Sequence, residues 1–449
     1  MMHPLTTESF ATALREGRGR ALWHVRQVSL AAVADAVLAA CLHNQAYDPQ
    51  CESSRARWLF GMFQGTAEYA TFSSAIVAAL EQETDTTDAK QLCELAALMG
   101  KAGDHKAGDA LRKRVLRETE NGGELWLGSA ELVALDGASA VTNLARYYGR
   151  ILAKDPEAMI PSLDALTEDA ELQRQYEALL QELAESDSEI KTYSTYSRTA
   201  IIHQAKRAER SNEEFRKEWE ERARREFPLA RILRDASAKL GDFPSRYMTF
   251  GRSAPPDELV LVLQRLVEET DEEVCQRLLW VFRRTALPEV HPKVWELAAS
   301  ANHVVRAAAL EALAQLQSEA IGEFGRRILS RGEFTENDSE ALHLFIRNYR
   351  AGDEHPIIAA LGELTPTLDN THTLSSSLLD ICEANSSPHV LPLLHWGYEI
   401  NPCAHCRYRA VKLLHKWGGL SQEIREECLL DADEDIQRFV KTVAVEEKG

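Results

Sequence analysis

One apolar register returns four times in the C-terminal half of the chain. In "ANHVVRAAALEALAQL" (301–316) Val305 leads, Ala309 follows four residues on, and Ala312 and Leu313 come seven and eight residues on. Cys406 leads Ala410, Leu413 and Leu414 at the same offsets, Val274 leads Leu278, Val281 and Phe282, and Ile436 leads Val440, Val443 and Ala444. These offsets line one face of an α-helix. An Asp or Asn stands three residues before the leader at Asp271, Asn302 and Asp433, and five before it at Asn401. Such residues suit helix N-caps and the turns that precede them. A helix with one apolar face must bury it against a neighbour, and a recurring unit does so by stacking.

Each of these helices has a partner. "WELAAS" precedes one and "EAIGEFGRRIL" follows it; "PHVLPLLHWGY" precedes the helix led by Cys406. Arg306 and Arg407 are 101 residues apart, room for three units of about 34 residues, the length of a two-helix repeat. The words "VVRAAALEALAQL" and "CRYRAVKLLHKWGG" resemble HEAT repeats, closest to the short bacterial type also seen in phycobilin lyases. The N-terminal part resembles them more weakly, in "LCELAALMGKAGDHKAGDAL" (92–111) and in "SAELVALDGASAVTNLARYYG" (129–149), which turns at Asp136 and Gly137. "NYRAGDEHPIIAAL" (348–361) repeats the plan. The resemblance implies an all-α fold, a right-handed α-solenoid of HEAT-like helix pairs. It specifies architecture and leaves function open, because such folds host many roles.

Composition changes between the two stretches of repeats. Residues 164–189 carry nine acids and one base, Arg174. From Arg198 to Phe227 the chain runs without Gly or Pro, and Pro228 ends the run. Residues 198–235 hold eleven bases and eight acids. Phe215, Trp219, Ala223 and Phe227 form a narrow apolar seam on this stretch. The expected organisation is an N-terminal HEAT-like array over 1–163, a charged helical connector with a long helix and a loop over 164–250, and a C-terminal HEAT-repeat array over 251–449. A basic stretch in an acidic chain reads first as a solvated, self-paired helix. As a partner surface it would offer Arg207, Arg210, Arg216, Trp219, Arg222 and Arg225.

The chain carries 51 Lys and Arg against 70 Asp and Glu, a net charge of −19. That balance argues against nucleic acid, which wants a basic face, and favours solubility or a basic protein partner. The opening "MMHPLTTESFATALREGRGR" has no apolar core of a secretory signal. The most apolar stretch, "SLAAVADAVLAACL", holds Asp35 and is too short to span a bilayer. The expectations are a cytoplasmic location, reduced cysteines and no membrane partner.

Chemical motifs are sparse. No Walker phosphate loop, His-Glu-x-x-His or Gly-x-Ser-x-Gly appears, and "GRGRA" (17–21) follows no strand. "DADED" (431–435) begins like a calcium loop, but Ile436 replaces the required glycine and Thr442 the required Glu. Cys403 and Cys406 form a Cys-x-x-Cys pair. Cys406 holds the leading position occupied elsewhere by Val305 and Ile436, so it reads as a core side chain, with Cys403 in the preceding turn. A zinc alternative would recruit His395 and His415 to Cys403 and Cys406, although it lacks the second close ligand pair usual in structural sites. No catalytic residue and no cofactor are expected.

The expected function is therefore a non-enzymatic scaffold or adaptor that binds another protein through a concave face. A neutraliser or chaperone of a basic toxin or effector is the alternative within that class. A HEAT-like lyase or nucleic-acid glycosylase is the alternative outside it. A basic groove with a buried acid would favour the glycosylase; an acidic or mixed groove would favour the binder.

Overall fold

The computed structural model describes residues 3–446, apart from 51, 53, 84, 121–125, 209–211, 241–242, 332–333, 336–337, 366 and 386; the side chains of 116–120 and 204–208 are likewise left out. Among the described residues there are 27 α-helices, two short 3₁₀ turns and no strand. The all-α expectation holds. No helix among these residues is long and apolar enough to cross a membrane.

The expected caps start the expected helices. Asp271 accepts from the amides of Glu273 (3.0 Å) and Val274 (3.3 Å) ahead of helix Glu272–Trp280. Asn302 accepts from Val304 (3.2 Å) ahead of His303–Leu313. Asp433 accepts from Asp435 (2.9 Å) and Ile436 (3.0 Å) ahead of Glu434–Glu446. "DADED" is thus a capped helix start. Leading residues Val274, Val305, Cys406 and Ile436 are all buried. Helices Ser129–Asp136 and Ala138–Lys154 meet at Gly137, whose φ of +59° few L side chains adopt.

The chain forms two compact units. Unit 1 comprises Met1–Arg210 together with Gln422–Gly449, and unit 2 comprises Ser211–Ser421. In sequence, unit 2 is an insertion in unit 1. The apolar spacing predicts one array over 251–449; helices Gln422–Cys428 and Glu434–Glu446 instead belong with the N-terminal residues. The connector is also divided. Helix Ser188–Ala208 belongs to unit 1 and packs on Ala138–Lys154, while Asn212–Glu226 belongs to unit 2 and packs on Ser245–Ser253.

Within unit 1 many helices pack on the next but one as well as on a sequence neighbour; Thr86–Lys101, for example, packs on His105–Glu120 and on Ser129–Asp136. Helices Ala56–Phe63, Thr86–Lys101, Ser129–Asp136 and Leu163–Leu166 stand side by side in this way. Unit 2 repeats the plan with Glu272–Trp280, His303–Leu313, Ser339–Asn348, Leu368–Ala384 and Ala404–Lys416.

The last two helices are fastened to the start of unit 1 by specific contacts. Arg20 donates twice to Glu427, at 2.6 and 2.8 Å. The Trp58 indole donates to the Leu430 carbonyl at 2.8 Å, and the Ala432 amide to the Gly17 carbonyl at 2.8 Å. Gly19 lies so close to this turn that a Cβ there would stand 1.9 Å from the Glu427 carbonyl oxygen. Glycine is required at that position by proximity alone.

Candidate functional site

Unit 1 contains a groove of about 850 Å³, within the range of ligand clefts. Its floor comes from the side-by-side helices: Ala97 and Leu98 from Thr86–Lys101, Val133 and Ala134 from Ser129–Asp136, and Leu166 beyond them. Leu172 and Tyr176 add an apolar wall. The charged lining is five acids (Glu94, Glu131, Asp136, Glu168 and Glu434) against two bases, Arg57 and Lys101. Asp136 and Glu434 are ion-paired. Arg112 clasps Asp136 with two bonds of 2.7 Å, and Arg57 lies 3.4 Å from Glu434.

Glu94 and Glu131 differ from the rest. Burial raises the Glu94 carboxyl above its ordinary value, against a hydrogen bond from the Ser54 hydroxyl and the charge of Lys90. Burial likewise raises Glu131, to about 7, and the charge of Glu94 adds to the effect. Shifted carboxyls in a cleft mark functional candidates, as structural networks sometimes do too. Both residues escaped the sequence reading, although they hold corresponding places in "CELAALMG" and "AELVALDG", 37 residues apart.

Unit 2 holds the Cys-x-x-Cys pair. Cys403 is the N-cap residue of helix Ala404–Lys416, and Cys406 lies in its first turn. Both are buried, at 3% and 5% exposure. The buried Asn401 side chain accepts from the Cys403 amide at 2.9 Å and shapes the turn. The core reading of Cys406 accounts for its burial and misses its neighbour. Half-buried His372, on helix Leu368–Ala384, places Nε2 3.5 Å from the Cys406 sulfur. The ligating atoms of His372, Cys403 and Cys406 all lie within 4.8 Å of one another. The Cys406 thiol donates to Cys403 and holds the Cys403 thiol well below its usual range; burial opposes this, and His372 and the Cys406 amide assist. The same bond and burial push Cys406 upward.

The two histidines of the zinc alternative are not part of this cluster. His395 is exposed on helix Leu391–Ile400, and His415 is half-buried near the end of Ala404–Lys416. The ligand set that the fold assembles is His372 with the two cysteines. His372 is 34 residues before Cys406, the spacing expected of a two-helix unit, and that spacing is the signal for it.

The connector residues lie on helix Asn212–Glu226. Arg216, Arg222 and Arg225 are exposed, and Trp219 is half-buried beneath Arg252, whose guanidinium stands 4.9 Å from the ring centroid. Phe215, Trp219, Arg222 and Arg225 share a shallow hollow of about 310 Å³. Ala223 is buried, and Arg224 donates to the Ser253 carbonyl at 2.8 Å. Arg210 and the side chain of Arg207 lie outside the described residues. No family model matches the chain, nor does any curated protein or solved structure.

Proposed function

We propose that the chain is a non-enzymatic scaffold or adaptor, a right-handed HEAT-like solenoid, cytoplasmic and bacterial in style, that binds another protein through the groove of unit 1. The observation that carries this reading is the groove's lining, in which an apolar floor is edged by five acids and two bases. A segment of a partner that alternates apolar and basic side chains complements both features. Apolar contact supplies affinity, and opposite charge speeds and orients the encounter. An acid-rich groove argues against a nucleic-acid glycosylase, which would need to attract phosphate. The net charge of −19 favours, as a second reading, a neutraliser or chaperone of a basic toxin or effector through the same groove.

The test is comparative capture from the native host. Wild-type chain and the charge-reversed variant Glu168→Lys, at an exposed acid of the groove, are used as baits, and recovered proteins are quantified by mass spectrometry. A basic protein depleted at least about tenfold on the variant supports the reading. Equal recovery on both baits, or no protein enriched on either, overturns it.

A further inference from the structure

We infer that His372, Cys403 and Cys406 form a binding site for one Zn²⁺ ion per chain. Three observations converge on it. The donor set is two sulfurs and one imidazole nitrogen, which selects a borderline-soft divalent ion over Mg²⁺ or Ca²⁺. The spacing also fits. Ligands at about 2.3 Å (sulfur) and about 2.0–2.1 Å (nitrogen) at a tetrahedral angle stand about 3.6 Å apart; the His372 nitrogen and Cys406 sulfur are 3.5 Å apart. All three donors lie within 4.8 Å of one another, so small rotamer adjustments complete the set.

Charge balance is the third observation. Cys403 and Cys406 are nearly inaccessible to solvent, where an isolated ion would be costly. With both sulfurs deprotonated and their protons released to solvent, two thiolates and a neutral imidazole give a Zn²⁺ centre of zero net charge. Three protein ligands leave the fourth tetrahedral position for water or an incoming donor.

The ion would tie helix Leu368–Ala384 to the start of Ala404–Lys416, two helices that already pack together. A Cys-x-x-Cys at a helix start also suits a disulfide, and both cysteines are free thiols here; the test separates the two.

Reduced full-length chain is purified without chelator, its zinc content is measured, and metal-free protein is titrated with CoCl₂. The expected result is one zinc per chain, and a thiolate-to-cobalt charge-transfer band that saturates at one equivalent and is displaced by ZnCl₂. His372→Ala and Cys403→Ser each weaken cobalt binding at least about tenfold, while His395→Ala and His415→Ala leave it unchanged. Absence of the band in the wild-type chain overturns the proposal, even if a variant fails to fold. So does binding that survives both His372→Ala and Cys403→Ser, or native chain isolated with a Cys403–Cys406 disulfide and no metal.

Discussion

Replacing Gly19 with Ala should loosen the fastening between the two ends of unit 1. Gly19 opens helix Gly19–Gln27, where alanine is intrinsically the better residue by about 1 kcal/mol. The surroundings reverse that preference. The new Cβ would stand 1.9 Å from the Glu427 carbonyl oxygen, and ordinary contact begins near 3.4 Å, so the turn must retreat by about 1.5 Å. A retreat of that size carries Leu430 out of reach of the Trp58 indole, now at 2.8 Å, and stretches both Arg20–Glu427 bonds. The indole bond is worth about 1 kcal/mol. Breaking a well-buried charge pair costs about 3 kcal/mol, and less here because Arg20 is partly exposed. The net loss after the propensity gain is about 2 kcal/mol, a roughly 30-fold more frequent opening of helix Glu434–Glu446. Amide hydrogen exchange in that helix reads it directly. Gly61→Ala is the control: it lies within helix Ala56–Phe63 with nothing near its Cβ, and should stabilise by about 1 kcal/mol. Unchanged exchange in Gly19→Ala, with the helix otherwise intact, would refute the reasoning.

Glu131→Gln should alter the pH dependence of unit 1. An acid whose folded pKa is raised to about 7 favours folding fully below the ordinary carboxylate range, and that stability is lost as pH climbs through about 7. The variant should therefore be more stable than wild type at pH 8, by on the order of 2 kcal/mol allowing for partial exposure, and no more stable at pH 4. Thermal melts at both values check this; the opposite trend counts against a buried carboxyl. For any partner found in the groove, the association rate should fall markedly between low salt and 1 M salt, where the screening length shrinks to about 3 Å, with a smaller change in dissociation. A flat association rate in stopped flow would replace electrostatic capture with purely apolar docking. Asn302→Ala should cost unit 2 about 1 kcal/mol through loss of its N-cap, measured by urea unfolding; a change below a few tenths would show that water takes over the cap.

Local rules made the helices legible. The caps at Asp271, Asn302 and Asp433 and the buried leaders Val305, Cys406 and Ile436 follow from spacing and side-chain chemistry within a dozen residues. What the reading missed depends on contacts between helices distant in sequence. His372 meets Cys406 because helix Leu368–Ala384 packs against Ala404–Lys416. Glu94 and Glu131 share a groove for the same reason. Each of these residues looks ordinary in its own helix, and only a comparison of corresponding positions brings it forward. The return of residues 422–446 to unit 1 had no local signal. Their apolar register matches that of the helices led by Val274, Val305 and Cys406, and the partner contacts come from Gly17, Gly19, Arg20 and Trp58, far earlier in sequence.

That return imposes an order on biosynthesis. The indole of Trp58 and the carbonyl of Leu430 are 372 residues apart. At about 5–20 residues per second, the ribosome needs roughly 20–70 s to deliver the second after the first. During that interval all of unit 2 is made, and it can pack from its own neighbouring helices, whereas the surface around Gly19 and Trp58 waits uncovered. The nascent chain thus presents an incomplete apolar face for most of its synthesis, the period in which a chaperone would find it.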